Sequence, residues 1–345
     1  MAQFKKRRIG RTALEVTELG IGSATIAGMN GAVITPEQAR GTIADALAAG
    51  VGYFDTAPHY GFGSAEHLVG DALRFHDGFA ISTKAGRLLV PVRSDAERTV
   101  DHPWTQPFPF EIRYDYTYDG IMRSFEASLQ RLGLAQIDIL LVHDIGTQSH
   151  GVEGNKKHWA DLTGGGYRAL DELRKKGLVS AIGLGVNEWP VLMDAMTIGQ
   201  WDAFLLANRY NLIEQTTLEP LFTTCLQHGA SMIAAGPFAA GVLAGTDVWG
   251  PTNGAYQKAP PEISAKVSKL DALARKHGIP LGAAALQFPL AHKVVATTLT
   301  GPKSPAELKA NLEWWNTTIP DAFWDDLADQ KLVAPGTPLP NGRTA

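Results

Sequence analysis

Cys225 is the only cysteine in a chain of 345 residues. One thiol excludes an internal disulfide, so a small secreted domain held together by crosslinks is not expected. Its surroundings, EPLFTTCLQHGA, read as a helix and predict a buried thiol, not a nucleophile. Long apolar runs are lacking as well. No stretch reaches the roughly 18 apolar residues that an ordinary spanning helix needs. The opening MAQFKKRRIG has charges with no apolar segment after them, which argues against an export signal. Charge of one sign is equally scarce, with 31 basic against 35 acidic residues and a formal net charge of -4. The short KKRR at 5–8 is read as a solvated edge. With neither a basic face nor a reader motif, nucleic acid is not an expected partner. A cytoplasmic enzyme acting on a small molecule fits these absences, and both a monomer and a homo-oligomer are compatible with them.

Alternation is what the chain has in abundance. Short apolar runs at 18–22, 51–54, 79–83, 137–142, 180–184, 202–206, 231–235 and 293–297 predict strands. Several are apolar throughout, as in parallel sheets covered by helices. Helical patterns lie between them at 36–49, 64–74, 118–132, 166–176, 189–198, 216–228, 262–277 with 282–288, and 305–315. Thr35 ahead of Pro36 marks one start, and Gly50, Gly133, Gly177, Gly229 and Gly278 mark ends. Eight strands and eight helical units predict an α/β chain, a single (β/α)8 barrel over 1–345 with its active centre at the C-terminal strand ends. An open doubly wound sheet would need a glycine fingerprint. LGIGSATIAG has glycines at 20, 22 and 28, but the acidic strand end that should follow in a βαβ unit is missing.

Three connections break the rhythm, at 85–117, 144–165 and 245–261. They show no clear periodicity and are expected as loops on the rim of the site. The first carries Trp104, Phe108, Phe110, Tyr114 and Tyr116, too aromatic for a disordered linker.

Residues 50–84 hold the strongest signal, GVGYFDTAPHYGFGSAEHLVGDALRFHDGFAISTK. Asp55 ends one apolar run, Tyr60 follows in a glycine-flanked turn, and Lys84 ends the next run. His143 closes IDILLVHD in the same way. Tyr60 can exchange a proton with a carbonyl or alcohol oxygen, but an unperturbed phenol has a pKa near 10. An ammonium at Lys84 favours phenolate, and Asp55 can hold that ammonium in place. His143 can donate a hydrogen bond to the same oxygen. Taken singly, Asp55 and His143 also read as strand-end hydrogen-bonding groups, and Tyr60 as a wall residue. Together they describe a proton-transfer site whose redox partner is a nicotinamide.

The sequence resembles the aldo-keto reductase family. DTAPHYG with the glutamate and glycine of SAEHLVG, then LLVHD, then TGPKSPAELKANLEWW occur in family order from about residue 8 to 315. The resemblance implies that Asp55, Tyr60, Lys84 and His143 are a catalytic tetrad that uses no metal. It implies an extended NAD(P) on top of the barrel. DYTYDGIMRSFEASLQRLGLAQIDILLVHD, LLANRYNLIEQ and GPFAAGVLAG are most similar to the aldose 1-dehydrogenase group, which includes L-fucose, D-threo-aldose and pyridoxal 4-dehydrogenases. Oxidation of an aldose hemiacetal at C1 to the lactone is therefore the expected activity. Pyridoxal oxidation to its lactone is the alternative, and a broader aldehyde or ketone reduction comes behind both.

The same resemblance implies cofactor contacts. Asn187, at the end of the fifth strand, is expected at the nicotinamide amide, or else as a cap for helix 189–198. Asn208 and Arg209 follow the sixth strand. Pro237 and Phe238 follow the seventh, where Ala235 stands in place of the family's stacking tyrosine. Gly301, Lys303 and Ser304 precede a helix whose free N–H groups suit a phosphate. Glu307 occupies the place of an arginine that binds a 2′-phosphate, which favours NAD, with NADP possible. Asn311 is expected at the adenine.

Overall fold

The computed structural model describes residues 4–29, 31–99, 101–249 and 257–345. Eight strands form its centre: β1 (Leu19–Gly22), β2 (Tyr53–Asp55), β3 (Ala80–Ala85), β4 (Ile139–His143), β5 (Ala181–Val186), β6 (Ala203–Ala207), β7 (Ser231–Ala235) and β8 (Val295–Thr300). Each pairs in parallel with the next, and β8 pairs with β1, so the sheet closes into the expected barrel. Alternation along the strands sorts their side chains into two sets. Tyr53, Ala80, Ile139, Leu141, Leu205 and Ile233 fill the interior. Phe54, Ile81, Leu140, Val142, Leu184 and Phe204 face the surrounding helices. Both sets are buried, which is why these strands read as apolar throughout.

The helices are α1 (Pro36–Ala48), α2 (Ser64–Leu73), α3 (Tyr118–Leu132), α4 (Thr147–Asp161), α5 (Tyr167–Lys175), α6 (Pro190–Ile198), α7 (Thr223–His228), α8 (Pro261–Lys276), α9 (Leu281–Gln287), α10 (Pro305–Trp315) and α11 (Asp321–Asp329). Thr35 caps α1 by accepting from the Gln38 N–H, while the Gln38 side chain accepts from the Thr35 N–H. Gly133 and Gly229 end α3 and α7 in left-handed conformations. Cys225 is buried, and burial pushes its thiol up to about 12.

Several expectations need correction. The KKRR segment is not simply a solvated edge. Lys6–Arg8 pair antiparallel with Glu15–Thr17, and Arg7 donates to Glu18 and to the carbonyls of Leu290 and Val295. Ile9 and Val16 of this hairpin join the interior cluster and stop the N-terminal end of the barrel. Residues 85–117 contain a second hairpin, Arg87–Pro91 against Phe110–Tyr114, whose irregular burial leaves no clean period to read. Residues 144–165 are mostly α4, which buries none of its own side chains and so shows no apolar stripe. Of the 245–261 connection, 250–256 lie outside the described residues, and Val248–Trp249 pairs with Gln257–Lys258. The single helix read at 216–228 is instead a π-type turn at Leu218–Phe222 followed by α7, with Pro220 lacking an N–H to continue a helix.

One buried charge joins α2 to the barrel wall. Glu66 is 0% exposed, accepts from the Thr83 hydroxyl at 2.7 Å, and pairs with Arg131 of α3 at 2.5 Å. Replacing it with alanine strands a largely buried guanidinium, so Glu66→Ala is expected to cost about 3–5 kcal/mol. Denaturant unfolding with an unchanged slope measures this; a loss under about 1 kcal/mol would mean that water takes over the carboxylate's role.

Candidate active site

The register of the parallel strands brings the four groups together. Asp55 lies opposite Ser82 across β2 and β3, and His143 lies opposite Gly185 across β4 and β5. Ser82 and Lys84 are two apart and share the inner face of β3. Lys84 Nζ donates to Asp55 Oδ2 at 2.7 Å and to the Thr56 carbonyl at 2.9 Å. The other Asp55 oxygen accepts from Ser82 Oγ at 2.7 Å, and Ser82 Oγ in turn lies 2.8 Å from the Tyr53 hydroxyl. Gly185 leaves room for the lysine stem, since a Cβ there would lie 3.1 Å from Lys84 Cε.

Tyr60 is delivered by a tight turn after β2. Gly61 and Phe62 in that turn have φ of 58° and 51°, and a Cβ on Gly61 would collide with Ser64. The Tyr60 ring stands 4.8 Å from Lys84 Nζ and perpendicular to the His143 ring, with centroids 5.8 Å apart. Burial raises the Tyr60 pKa above its ordinary value, and the Lys84 charge works against that rise. Lys84 itself is pulled down by burial, but Asp55 and Tyr60 outweigh this and hold its pKa above the usual lysine value. Burial, with Arg87 and Lys84 adding to it, keeps the His143 pKa well below the ordinary histidine value, so the imidazole is neutral. The group can therefore pass one proton at Tyr60 while His143 donates a hydrogen bond.

Aromatic and imidazole rings surround Tyr60. Trp104 lies 5.7 Å from it, and His59 lies 5.1 Å from Trp104. The Tyr116 hydroxyl donates to the His143 carbonyl at 2.8 Å and lies 3.0 Å from His150 Nε2. His59 Nδ1, Arg87 Nε, Trp104 Nε1 and His143 Nδ1 are buried without a protein partner. A groove of about 600 Å³ opens outside the Tyr60 turn, between Ile26, Arg40, Asp71 and Phe108, and the four groups do not line it.

A second buried ion pair was not legible in the sequence. Arg87 donates to Asp144 at 2.6 Å, and Asp144 also accepts from the Asn187 amide at 3.1 Å. The available signal was position, since Arg87 lies three residues beyond Lys84 and Asp144 directly follows His143. Asn187 is thereby tied to the His143 neighbourhood and does not cap α6, whose cap position is Trp189 without a side-chain bond. Arg209 donates to the Asn187 carbonyl at 2.8 Å. Asn208 accepts from the Ala240 N–H at 3.3 Å, just past Pro237 and Phe238; Phe238 packs edge-on against Trp314 at 5.5 Å.

Gly301, Lys303, Ser304 and Glu307 sit at the start of α10. Ser304 caps it by accepting from the Glu307 N–H at 3.3 Å. Glu307 does not stand free, because it accepts from the Lys303 N–H at 3.0 Å and pairs with its ammonium at 3.2 Å. Asn311 is buried and donates to Thr300 Oγ1 at 3.0 Å.

A closed parallel barrel with a lysine–aspartate pair, a phenol and a neutral imidazole at one mouth is the architecture of a barrel enzyme, and these groups are of a kind that can transfer a proton. The chain belongs to the aldo/keto reductase family, whose model matches residues 18–330, and such enzymes use nicotinamide cofactors. It is 40% identical to pyridoxal 4-dehydrogenase of Microbacterium luteolum, over 96% of this chain and 98% of that protein. It is 33% identical to D-threo-aldose 1-dehydrogenase of a Pseudomonas species, over 93% of this chain and 95% of that one. The fold matches a holo-form aldo-keto reductase from Bacillus halodurans with a TM-score of 0.70, 24% identity, and coverage of 96% of this chain and 97% of that chain. Among the described residues no helix is long and apolar enough to cross a membrane.

The electrostatics give a directional expectation. Removing the ammonium in Lys84→Met lets burial act unopposed on Tyr60, so its pKa rises further and the pH profile for oxidation moves to more alkaline values. Tyr60→Phe removes the hydroxyl that could carry the proton and should lower turnover by roughly 10²–10⁴-fold with cofactor binding retained. Steady-state rates across pH, with cofactor binding followed separately by fluorescence, check both; a near-normal rate for Tyr60→Phe would remove the phenol from the chemistry.

Proposed function

We propose that the chain oxidises a ring hemiacetal to a lactone with NAD, and that the hemiacetal of pyridoxal fits the site best. The supporting observation is the wall of rings, Trp104, His59 and His143, gathered around Tyr60. A planar heterocycle packs favourably against such rings. The 40% identity to pyridoxal 4-dehydrogenase agrees. This reverses the order expected from sequence, where an aldose came first. Aldose oxidation at C1 is the second reading, supported by the 33% identity to D-threo-aldose 1-dehydrogenase.

In the reaction the hemiacetal carbon gives up a hydride and its hydroxyl gives up a proton. The hydride would need an acceptor, which is the chemistry a nicotinamide would supply when bound. Tyr60, as phenolate, accepts the proton; Lys84 favours that phenolate, and Asp55 keeps Lys84 charged and in place. Neutral His143 donates to the reacting oxygen and orients it.

The chain's residues suit such a cofactor. Ser23, Thr25 and Thr56, all just past β1 and β2, have buried hydroxyls without partners. A Cβ on Gly301 would lie 3.2 Å from the Thr25 hydroxyl, which brings the start of α10 beside that loop. Asn187 and Asn208, with Pro237 and Phe238, would hold the nicotinamide end. Gly301, Lys303 and Ser304 would receive a phosphate, with Glu307 near the adenosine ribose and Asn311 near the adenine. A carboxylate at Glu307 disfavours a 2′-phosphate, although its pairing with Lys303 moderates the effect, so NAD is preferred over NADP.

The deciding experiment tests pyridoxal, L-fucose, D-arabinose and L-galactose, each with NAD and NADP, following reduced cofactor and identifying the lactone by mass spectrometry. Turnover of pyridoxal well above every sugar is expected. Sugar turnover with negligible pyridoxal oxidation moves the assignment to the second reading.

Cofactor choice has its own test. Glu307→Arg reverses a charge beside the ribose and releases Lys303, so kcat/KM for NADP relative to NAD should rise by about tenfold or more. An unchanged ratio would place Glu307 away from the ribose.

A further inference from the structure

Asp144 joins three strand ends through one carboxylate. Its Oδ2 accepts from Arg87 at 2.6 Å and lies 3.5 Å from His143 Nε2, while its Oδ1 accepts from Asn187 at 3.1 Å. Arg87 is only 5% exposed. Asp144 has a φ of 44°, and its N–H is pinned to the Gly185 carbonyl at 2.9 Å. Non-glycine residues seldom hold that conformation unless their surroundings impose it, and such positions cluster at functional sites.

A carboxylate this close to an imidazole, acting alone, favours the imidazolium. Several other groups face His143. Lys84 on β3 is a cation backed by Asp55 on β2. His59 and Tyr60 come from the turn after β2. Tyr116, linked to His150, binds the His143 carbonyl. Burial is the main cause that disfavours a second proton on His143; Arg87, in direct contact with the Asp144 carboxylate, and Lys84 add to it.

We propose that Arg87 and Asp144 form a positioning pair: Asp144 holds the Asn187 amide and stands beside the His143 ring, and Arg87 cancels the carboxylate's charge there, so that it does not draw a proton onto the buried imidazole. The effect on rate rests on the reading that His143 acts at the reacting oxygen. Neither member of the pair needs to touch substrate.

The test uses Arg87→Met, Arg87→Lys and the double variant Arg87→Met with Asp144→Asn. Two quantities are read on each: His143 protonation by imidazole NMR, and the dependence of kcat on pH. Wild type and Arg87→Lys should show His143 neutral between about pH 6 and 8. Arg87→Met should show His143 gaining a proton in that range, with a matching new inflection in kcat. The double variant removes both charges and should return to the wild-type pattern. If Arg87→Met does not fold, Arg87→Gln keeps a donor to Asp144 without the charge and carries the same expectation. The proposal is overturned if His143 stays neutral in the uncharged single variant, or if the double variant still shows the inflection. It is also overturned if loss of Arg87 only raises KM for substrate, which would make Arg87 a substrate contact. If NMR shows the new titration and kcat does not follow it, the pair stands and the role proposed for His143 falls.

Discussion

An ammonium that is 1% exposed has to be fully compensated, and the site is organised around how Lys84 is compensated. An isolated buried charge would lose its proton or unfold its surroundings. Asp55 prevents this at 2.7 Å, and the Thr56 carbonyl takes a second ammonium proton. The free oxygen of Asp55 is in turn satisfied by Ser82, and Ser82 by Tyr53, all inside the barrel. The chain of bonds works only in one register, with Asp55 opposite Ser82. A slip of one residue would turn Ser82 and Lys84 to the outer face among the helices. The apolar packing that fixes the strands therefore also fixes where the Lys84 charge stands beside the Tyr60 ring.

The same electrostatic arrangement recurs a strand further round the barrel. Arg87 and Asp144 form a second, partly buried pair, and the imidazoles of His59 and His143 are both held neutral by burial and neighbouring cations. Two cations and two carboxylates lie beneath rings that carry no charge. The charges in this part of the mouth are thus paired, and the imidazoles beside them carry none.

What the sequence made legible follows from what each element buries. Strands with both faces buried, such as 137–142, announce themselves as apolar runs, and the residue that ends the run is the one at the barrel mouth. Asp55, Lys84 and His143 were found in this way, and the structure brings them together with Tyr60. Helix α4 was missed because it buries none of its side chains. The hairpin at 87–91 and 110–114 was missed because it is not part of the barrel sheet. Arg87 and Asp144 escaped for a different reason. Their meaning lies in a contact across 57 residues of sequence, which no local pattern encodes. Glu307 illustrates the limit of reading a residue singly, since its carboxylate is shared with Lys303 three-dimensionally before any ligand meets it.

Division of labour between strands and rim also explains how one barrel can serve related substrates. Asp55, Lys84 and His143 stand on strand ends and Tyr60 on the turn after β2, where backbone register fixes them. Trp104 stands on the long connection that also contributes the hairpin, yet it is not free to drift. The Thr105 N–H binds the Gly28 carbonyl at 2.9 Å, and the Phe108 N–H binds the Gly61 carbonyl at 3.0 Å. The ring that walls the site is thus anchored by backbone bonds to the loop after β1 and to the turn that carries Tyr60. Substitutions in this connection can reshape the wall without altering the strand register, so the surroundings of Tyr60 can change while the strand-end groups stay in place. Relatives of this chain that carry pyridoxal and aldose names are what that separation of roles would produce.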